Sequence, residues 1–369
     1  MMRARNFSFR TTVATLFFYL AVNILAPVKA EAINVGGLIG SVIGSSMQQS
    51  AMVKFLNHYD NEGRQELFEA FKENFDTKED AELNIMLGNV VERLSVEIAK
   101  KEISIIERPY NYFIAPDKNF NAACSLGHNI FVNSGVFTFV NNNEDQLAAV
   151  VAHEMVHGQM DHNVKGIKKQ MSTIFARNVI GSQIDSYGGG LLLDIATLHV
   201  VNTGITKPNE WQADNLSYAY LTDAGYNPGA PAAVWQRITD DVDMNQGGRN
   251  VLKSILNPAT HPSSKDRRTN FSQKLTEHSK NVVVVDVETG EIKVNGQTFM
   301  TPADIEGKSG KERAYMIAGS LASLYHTGRP LGEAVAQNDT VLVDEKLIVK
   351  VEENDKSAQE LAQVLNSIK

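Results

Sequence analysis

The sequence predicts an α+β protein, predominantly helical, that ends in a small α/β module. Three observations lead there. Apolar residues recur at helical spacing through residues 62–101, 144–161 and 210–223. Only short β-rich runs interrupt them, at residues 103–106, 112–115 and 128–132. From about residue 282 the pattern changes to short strands and turns closed by one helix.

The first thirty residues read as a secretory signal peptide. Arg3, Arg5 and Arg10 precede an uncharged stretch from Thr11 to Val28, and Val28-Lys29-Ala30 offers small residues where a signal peptidase cuts. Cleavage there would start the mature chain at Glu31. An uncleaved membrane anchor is the alternative, because the stretch is near the lower limit for spanning. Residues 31–60 follow as an apolar, Gly-rich segment. Gly36, Gly40 and Gly44 would give one helix face three flat spots, so residues 32–53 could lie close to a membrane. So many glycines also weaken a helix, which favours a linker.

Residues 61–281 carry the main domain. Leu67, Phe68, Phe71 and Phe75 form one helical stripe, and Leu83, Leu87, Val90, Val91 and Leu94 form a second. Residues 103–106, 112–115 and 128–132 read as strands, the last ending at Ser134-Gly135. Asn143, with Gln146 three residues on, caps a helix that should run from Glu144 past Asp161, burying Leu147, Val150 and Val151. Further helices are expected at 173–179, 191–201 and 210–223, with a break at Gly188-Gly189-Gly190. In the module at 282–369, a hairpin is expected over 282–294, a strand pair over 340–351 and a helix over 357–368.

Charge and cysteine usage exclude some functions. The net charge is −8 and no basic stripe with interleaved aromatics is present, so nucleic acid is not an expected partner. Cys124 is the single cysteine, so no intrachain disulfide can form, and it reads as a small packed residue.

The chemistry concentrates in His153-Glu154-Met155-Val156-His157. Residues four apart share a helix face, so the two imidazoles can hold one Zn²⁺ while Glu154 serves as general base toward the water that zinc acidifies. A catalytic zinc needs a third protein ligand, and Glu210 is the candidate. Asp214, one turn further along, could accept a hydrogen bond from the far nitrogen of a ligand imidazole. A solvated helix face is the alternative reading of that carboxylate pair.

An ordered set of motifs then makes a resemblance plain. It comprises Asn121-Ala122, Gly127, Ile130-Phe131-Val132, Gly135, Gln146-Leu147, the His153–His157 motif, His162, Glu210, Ala213-Asp214, residues 224–228, His261-Pro262 and Arg267. Over about residues 80–270 the chain resembles the M48 peptidases, the Ste24-like and Oma1-like zinc metallopeptidases, of bacterial periplasmic type. The resemblance implies a mostly helical gluzincin-type domain with a small sheet beside the active-site helix and one zinc per chain. It implies cleavage of polypeptide substrates outside the cytoplasm, in envelope protein quality control. A latent, chaperone-like or assembly factor using the same cleft is the alternative. Substrate would lie as an added strand along an edge strand, here residues 128–132, with His128, Ile130 and Val132 as contacts. His261 and Arg267 would sit on a loop over the cleft, the histidine stabilising an oxyanion or capping the zinc.

The chain departs from the family's pattern at His128, where a second glycine is common; a surface histidine is one reading. His162 falls within the pattern but reads as a histidine favoured at a helix C-terminus. Residues 282–369 stand where some periplasmic relatives carry helical repeats. The membrane spans of the prenyl-protein proteases are missing, so that substrate is not expected. Oligomeric state is not legible.

Overall fold

The computed structural model describes residues 53–54, 56–176, 205–244 and 261–369. The expected signal peptide, nearly all of the Gly-rich segment, the helix expected at 191–201 and the break at Gly188–Gly190 lie outside the described residues.

In chain order the elements begin with α1 (Arg64–Phe75), α2 (Ala81–Ala99) and α3 (Ser104–Glu107). A three-stranded sheet follows, formed by β1 (Asn111–Ala115), β2 (Ala122–Ser125) and β3 (Asn129–Asn133). Then come α4 (Ser134–Phe139), α5 (Glu144–Gln159), α6 (His162–Ala176), α7 (Lys207–Asp223), α8 (Ala230–Met244) and α9 (Ser264–His278). The last part holds β4 (Val283–Val285), β5 (Ile292–Val294), β6 (Gln297–Met300), α10 (Gly310–His326), β7 (Ala334–Gln337), β8 (Thr340–Val343), β9 (Lys346–Lys350) and α11 (Ala358–Ile368). Among the described residues no helix is long and apolar enough to cross a membrane.

The long helices start where their caps say. Asp80, Asn143, Ser263, Ser309 and Ser357 each accept a backbone N–H from the first turn of α2, α5, α9, α10 and α11. The sheet order is β1-β3-β2, and β1 and β3 run parallel with Ile114 opposite Val132. β4-β5-β6 and β7-β8-β9 are two further three-stranded sheets, antiparallel throughout.

Two compact units divide the chain. The smaller takes residues 1–74, 125–127 and 163–204. In its described part, Gly127 donates to Asp60 Oδ1 at 3.0 Å and accepts from Arg64 Nε at 2.9 Å, with a φ of 68° that suits glycine. The larger unit takes residues 75–124, 128–162 and 205–369. Its core is continuous from Leu87, Leu94, Leu147, Val151 and Met155 to Phe299, Leu321 and Leu365. Full burial of each such side chain contributes about 1.5–3 kcal/mol before entropy is subtracted.

Three expectations need correction. Residues 104–107 form a helical turn instead of a strand. Ile103 and Ile106 are exposed while Ile105 alone is buried, so the isoleucine run has no sheet face to fill. The helix from Glu144 stops at Gln159, because Asp161 takes a left-handed φ of 51° and turns the chain into α6. The C-terminal residues are also no detached appendage. α10 lies in the core of the larger unit, and its Glu312 accepts from Gln146 of α5 (2.9 Å) and from Arg237 of α8 (3.2 Å).

Candidate metal centre

The capped helix α5 carries His153 and His157 on one face. Helix α7 opens with a capping box between Thr206 and Asn209 and with Pro208 in its first turn, which sets Glu210 one step inside the helix. The two helices bring three side chains together. His153 Nε2 and His157 Nε2 are 3.1 Å apart, and each stands 3.5 Å from an oxygen of Glu210. All three ligand atoms fall within 4.8 Å of one another, with His157 and Glu210 buried.

The surroundings are charged and largely buried. Asp214 Oδ1 lies 3.0 Å from His153 Nδ1, so that nitrogen donates and Nε2 faces the cluster. Arg267 donates to both oxygens of Asp214, from Nε at 2.8 Å and from Nη2, and reaches Glu210 Oε2 from Nη1 at 3.4 Å. Its guanidinium lies 3.8 Å from the Trp235 ring. His261 Nδ1 approaches Glu210 Oε2 to 3.1 Å.

These contacts move the titrations. Burial and Arg267 oppose charge on His153, yet its hydrogen bonds to Asp214 and Glu210 prevail and push it up to about 9. Burial and the neighbouring His153 hold His157 well below its ordinary value, which keeps that ring neutral. Burial opposes charge on Glu210 too, but His153 and His261 hold it well below the carboxylate range. Glu154 is pushed up to about 7, chiefly by burial; His153 and a backbone hydrogen bond from Cys124 oppose the rise. The donor set fits a divalent metal. Two imidazole nitrogens and a carboxylate suit zinc, and Glu210 and Asp214 both face the guanidinium of Arg267.

Residues 86–274 match the sequence profile of peptidase family M48, just over half of the chain. The chain belongs to peptidase family M48. Among its relatives is the beta-barrel assembly-enhancing protease of Escherichia coli, 22% identical over 268 residues, which are 70% of this chain and 50% of that protein. Metalloprotease LoiP of the same organism is 25% identical over 176 residues, 46% of this chain and 64% of the relative. Mitochondrial metalloendopeptidase OMA1 of Saccharomyces cerevisiae is 24% identical over 210 residues, 52% and 56% of the two chains. The chain spans about half the length of the curated relatives it matches.

The geometry gathers His153, His157, Glu210, Glu154, Asp214, Arg267 and His261 at one place in this M48 chain. Arg267, however, stands in the first turn of α9, not on a loop. The substrate-strand residues do not join them. β3 is flanked by β1 and β2, so it is the central strand of its sheet and has no edge to offer. Ile130 and Val132 are fully buried in the core. His128 is buried as well, stacked on Tyr110 at 4.9 Å with Nδ1 2.8 Å from the Arg108 carbonyl oxygen, so it is not a surface residue.

Sequence reasoning missed His162 and Gln212. His162 opens α6 and is buried, with Nδ1 3.1 Å from His157 Nδ1 and Nε2 3.0 Å from Gln212 Oε1. It therefore lies at a helix N-terminus, not at a C-terminus. Five residues along an unbroken helix would turn it away from His157. The left-handed Asp161 that reverses the chain leaves little trace in sequence.

Proposed function

We propose that this chain is a zinc-dependent metalloendopeptidase, with one zinc held by His153, His157 and Glu210. The observation that carries the reading is the convergence of those three donors beside a half-buried Glu154. When bound, zinc supplies Lewis acidity to the scissile carbonyl and lowers the pKa of the attacking water. Glu154, beside the donor cluster, takes the proton of that water and returns it to the leaving amine. Asp214 and Arg267 hold His153 and Glu210 in place. The strand that receives substrate is β2, which ends the sheet and whose Cys124 backbone hydrogen-bonds Glu154.

The substrates are polypeptides, and the setting is extracytoplasmic. The Arg-rich, apolar start of the sequence supports export, and the E. coli relative's name, beta-barrel assembly-enhancing protease, supports a role in envelope protein quality control. A second reading has one observation in its favour. His261 is buried and reaches a ligand oxygen, as an imidazole would that holds the enzyme latent until moved.

The test is a proteolysis assay on an unfolded protein with zinc-loaded, full-length chain. Glu154→Gln is expected to keep about one zinc, because Glu154 is not a ligand, and to lose at least ~10²-fold in rate. Unchanged turnover at full metal content overturns the assignment. His261→Ala in the same assay divides the two readings: lower turnover marks an oxyanion donor, higher turnover a plug.

A further inference from the structure

We propose that His162 and Gln212 are positioning residues that fix His157 in the tautomer able to bind metal. The inference rests on the metal-centre reading above and concerns what holds that site ready. His157 points Nε2 at the ligand cluster, 3.1 Å from His153 Nε2 and 3.5 Å from Glu210 Oε1. Its other nitrogen, Nδ1, lies 3.1 Å from Nδ1 of His162. Two ring nitrogens at that distance share one proton, so one ring donates and the other accepts.

Gln212 decides which. Its Oε1 stands 3.0 Å from His162 Nε2, and a carbonyl oxygen only accepts, so His162 carries its proton on Nε2. Neutral His162 then has a lone pair on Nδ1 and accepts from His157 Nδ1–H. That leaves the lone pair of His157 on Nε2, facing Glu210 and His153. The reverse order would put a proton on His157 Nε2, aimed at the other donors, where no metal could be ligated.

The two ligand histidines are thus held by different devices. His153 is oriented by the carboxylate of Asp214, which when ionised can only accept. His157 is oriented by an imidazole backed by an amide. The fold builds this pair deliberately. Asp161 turns the chain with a left-handed φ of 51°, so His162 comes back against His157 with ring centroids 5.0 Å apart at 70°. Gln212 follows Glu210 by two positions on α7, so the helix that supplies the third ligand also supplies the acceptor.

The experiment measures zinc affinity by chelator competition on the full chain, with the melting temperature of the metal-free protein alongside. Nitrogen-15 spectra of histidine-labelled, zinc-loaded protein add a direct view of the tautomers. His162→Phe fills the ring's volume without an acceptor and is expected to bind zinc about ten- to a hundred-fold more weakly. His162→Asn, whose side-chain oxygen can stand near the position of Nδ1, is expected to recover most of that loss. Gln212→Leu, on an exposed side chain, carries little folding risk and is expected to weaken zinc by a smaller factor. Wild-type spectra are expected to show His157 protonated on Nδ1 and His162 on Nε2. Wild-type affinity in His162→Phe, or a proton on His162 Nδ1, overturns the proposal. So do equal losses in His162→Phe and His162→Asn with matching drops in metal-free melting temperature, which would mark a merely structural role. If the wild-type chain took up no zinc, the metal-centre reading would fall first. Uptake by wild type with unaltered binding in His162→Phe sinks this inference alone.

Discussion

At the scale of single residues, Arg267 explains how Glu210 and Asp214 coexist beside two imidazoles in a buried pocket. Asp214 is fully buried, and its charge is met by the fork of Arg267, which also stacks on Trp235. Removing the guanidinium strands a buried carboxylate, so Arg267→Met should cost about 3–5 kcal/mol in stability. Arg267→Lys restores a charge but neither the fork nor the stack, and should recover only part of that loss. Denaturant unfolding of the zinc-loaded and zinc-free variants checks this; a lysine variant as stable as wild type would show that charge alone suffices. Legibility at this scale followed periodicity. His153, His157, Glu210 and Asp214 could be read because each pair sits four apart on one helix. His162 and Gln212 could not, because a single left-handed residue between two helices brings them to the site.

At the scale of elements, the apolar stripe of α2, the cap and stripe of α5 and the helix α11 were legible, whereas α10 and the order of the first sheet were not. α10 is hidden because it packs through small residues. A Cβ on Gly319 would lie 1.7 Å from Asn227 Oδ1 and 2.5 Å from Gly229 N. That Asn227 accepts from Gly229 N–H at 2.8 Å and donates to the Met316 carbonyl oxygen at 2.9 Å, tying the turn before α8 to α10. Two effects compete in Gly319→Ala. Helix propensity favours alanine by about 1 kcal/mol. Overpacking against a hydrogen-bonded turn costs about 1–3 kcal/mol, and here it must also displace Asn227 from both partners. The clash should win, and the midpoint of thermal unfolding should fall by several degrees. A raised midpoint would mean that α10 backs away from the turn without cost. The central place of β3 was unreadable for a different reason. Residues 122–125 are too short and mixed to announce the strand β2, and only with β2 present does β3 cease to be an edge.

At the scale of the whole molecule, the C-terminal residues continue the core that holds the candidate metal site, and acid should report that union. His278 at the end of α9 stacks face to face on His326 at the end of α10, with centroids 3.8 Å apart at 1°. Burial, then the charges of His326 and Lys346, push His278 down to about 4. Between pH 6.5 and about 4 the unfolded chain therefore binds a proton at this position that the folded chain refuses. The contribution of His278 to stability is fully present above pH 6.5 and is lost as pH falls toward 4. His278 is only half buried, so solvent screening reduces the effect to on the order of 1 kcal/mol. Replacing it by phenylalanine keeps a ring for the stack and removes the titration. His278→Phe should accordingly show a shallower fall in melting temperature from pH 6.5 to 4 than the wild-type chain, with both measured free of metal so that the zinc ligands do not contribute a metal-release step. Parallel curves for the two proteins would mean that the stacked pair opens before it titrates, and that α9 and α10 are joined by their apolar faces alone.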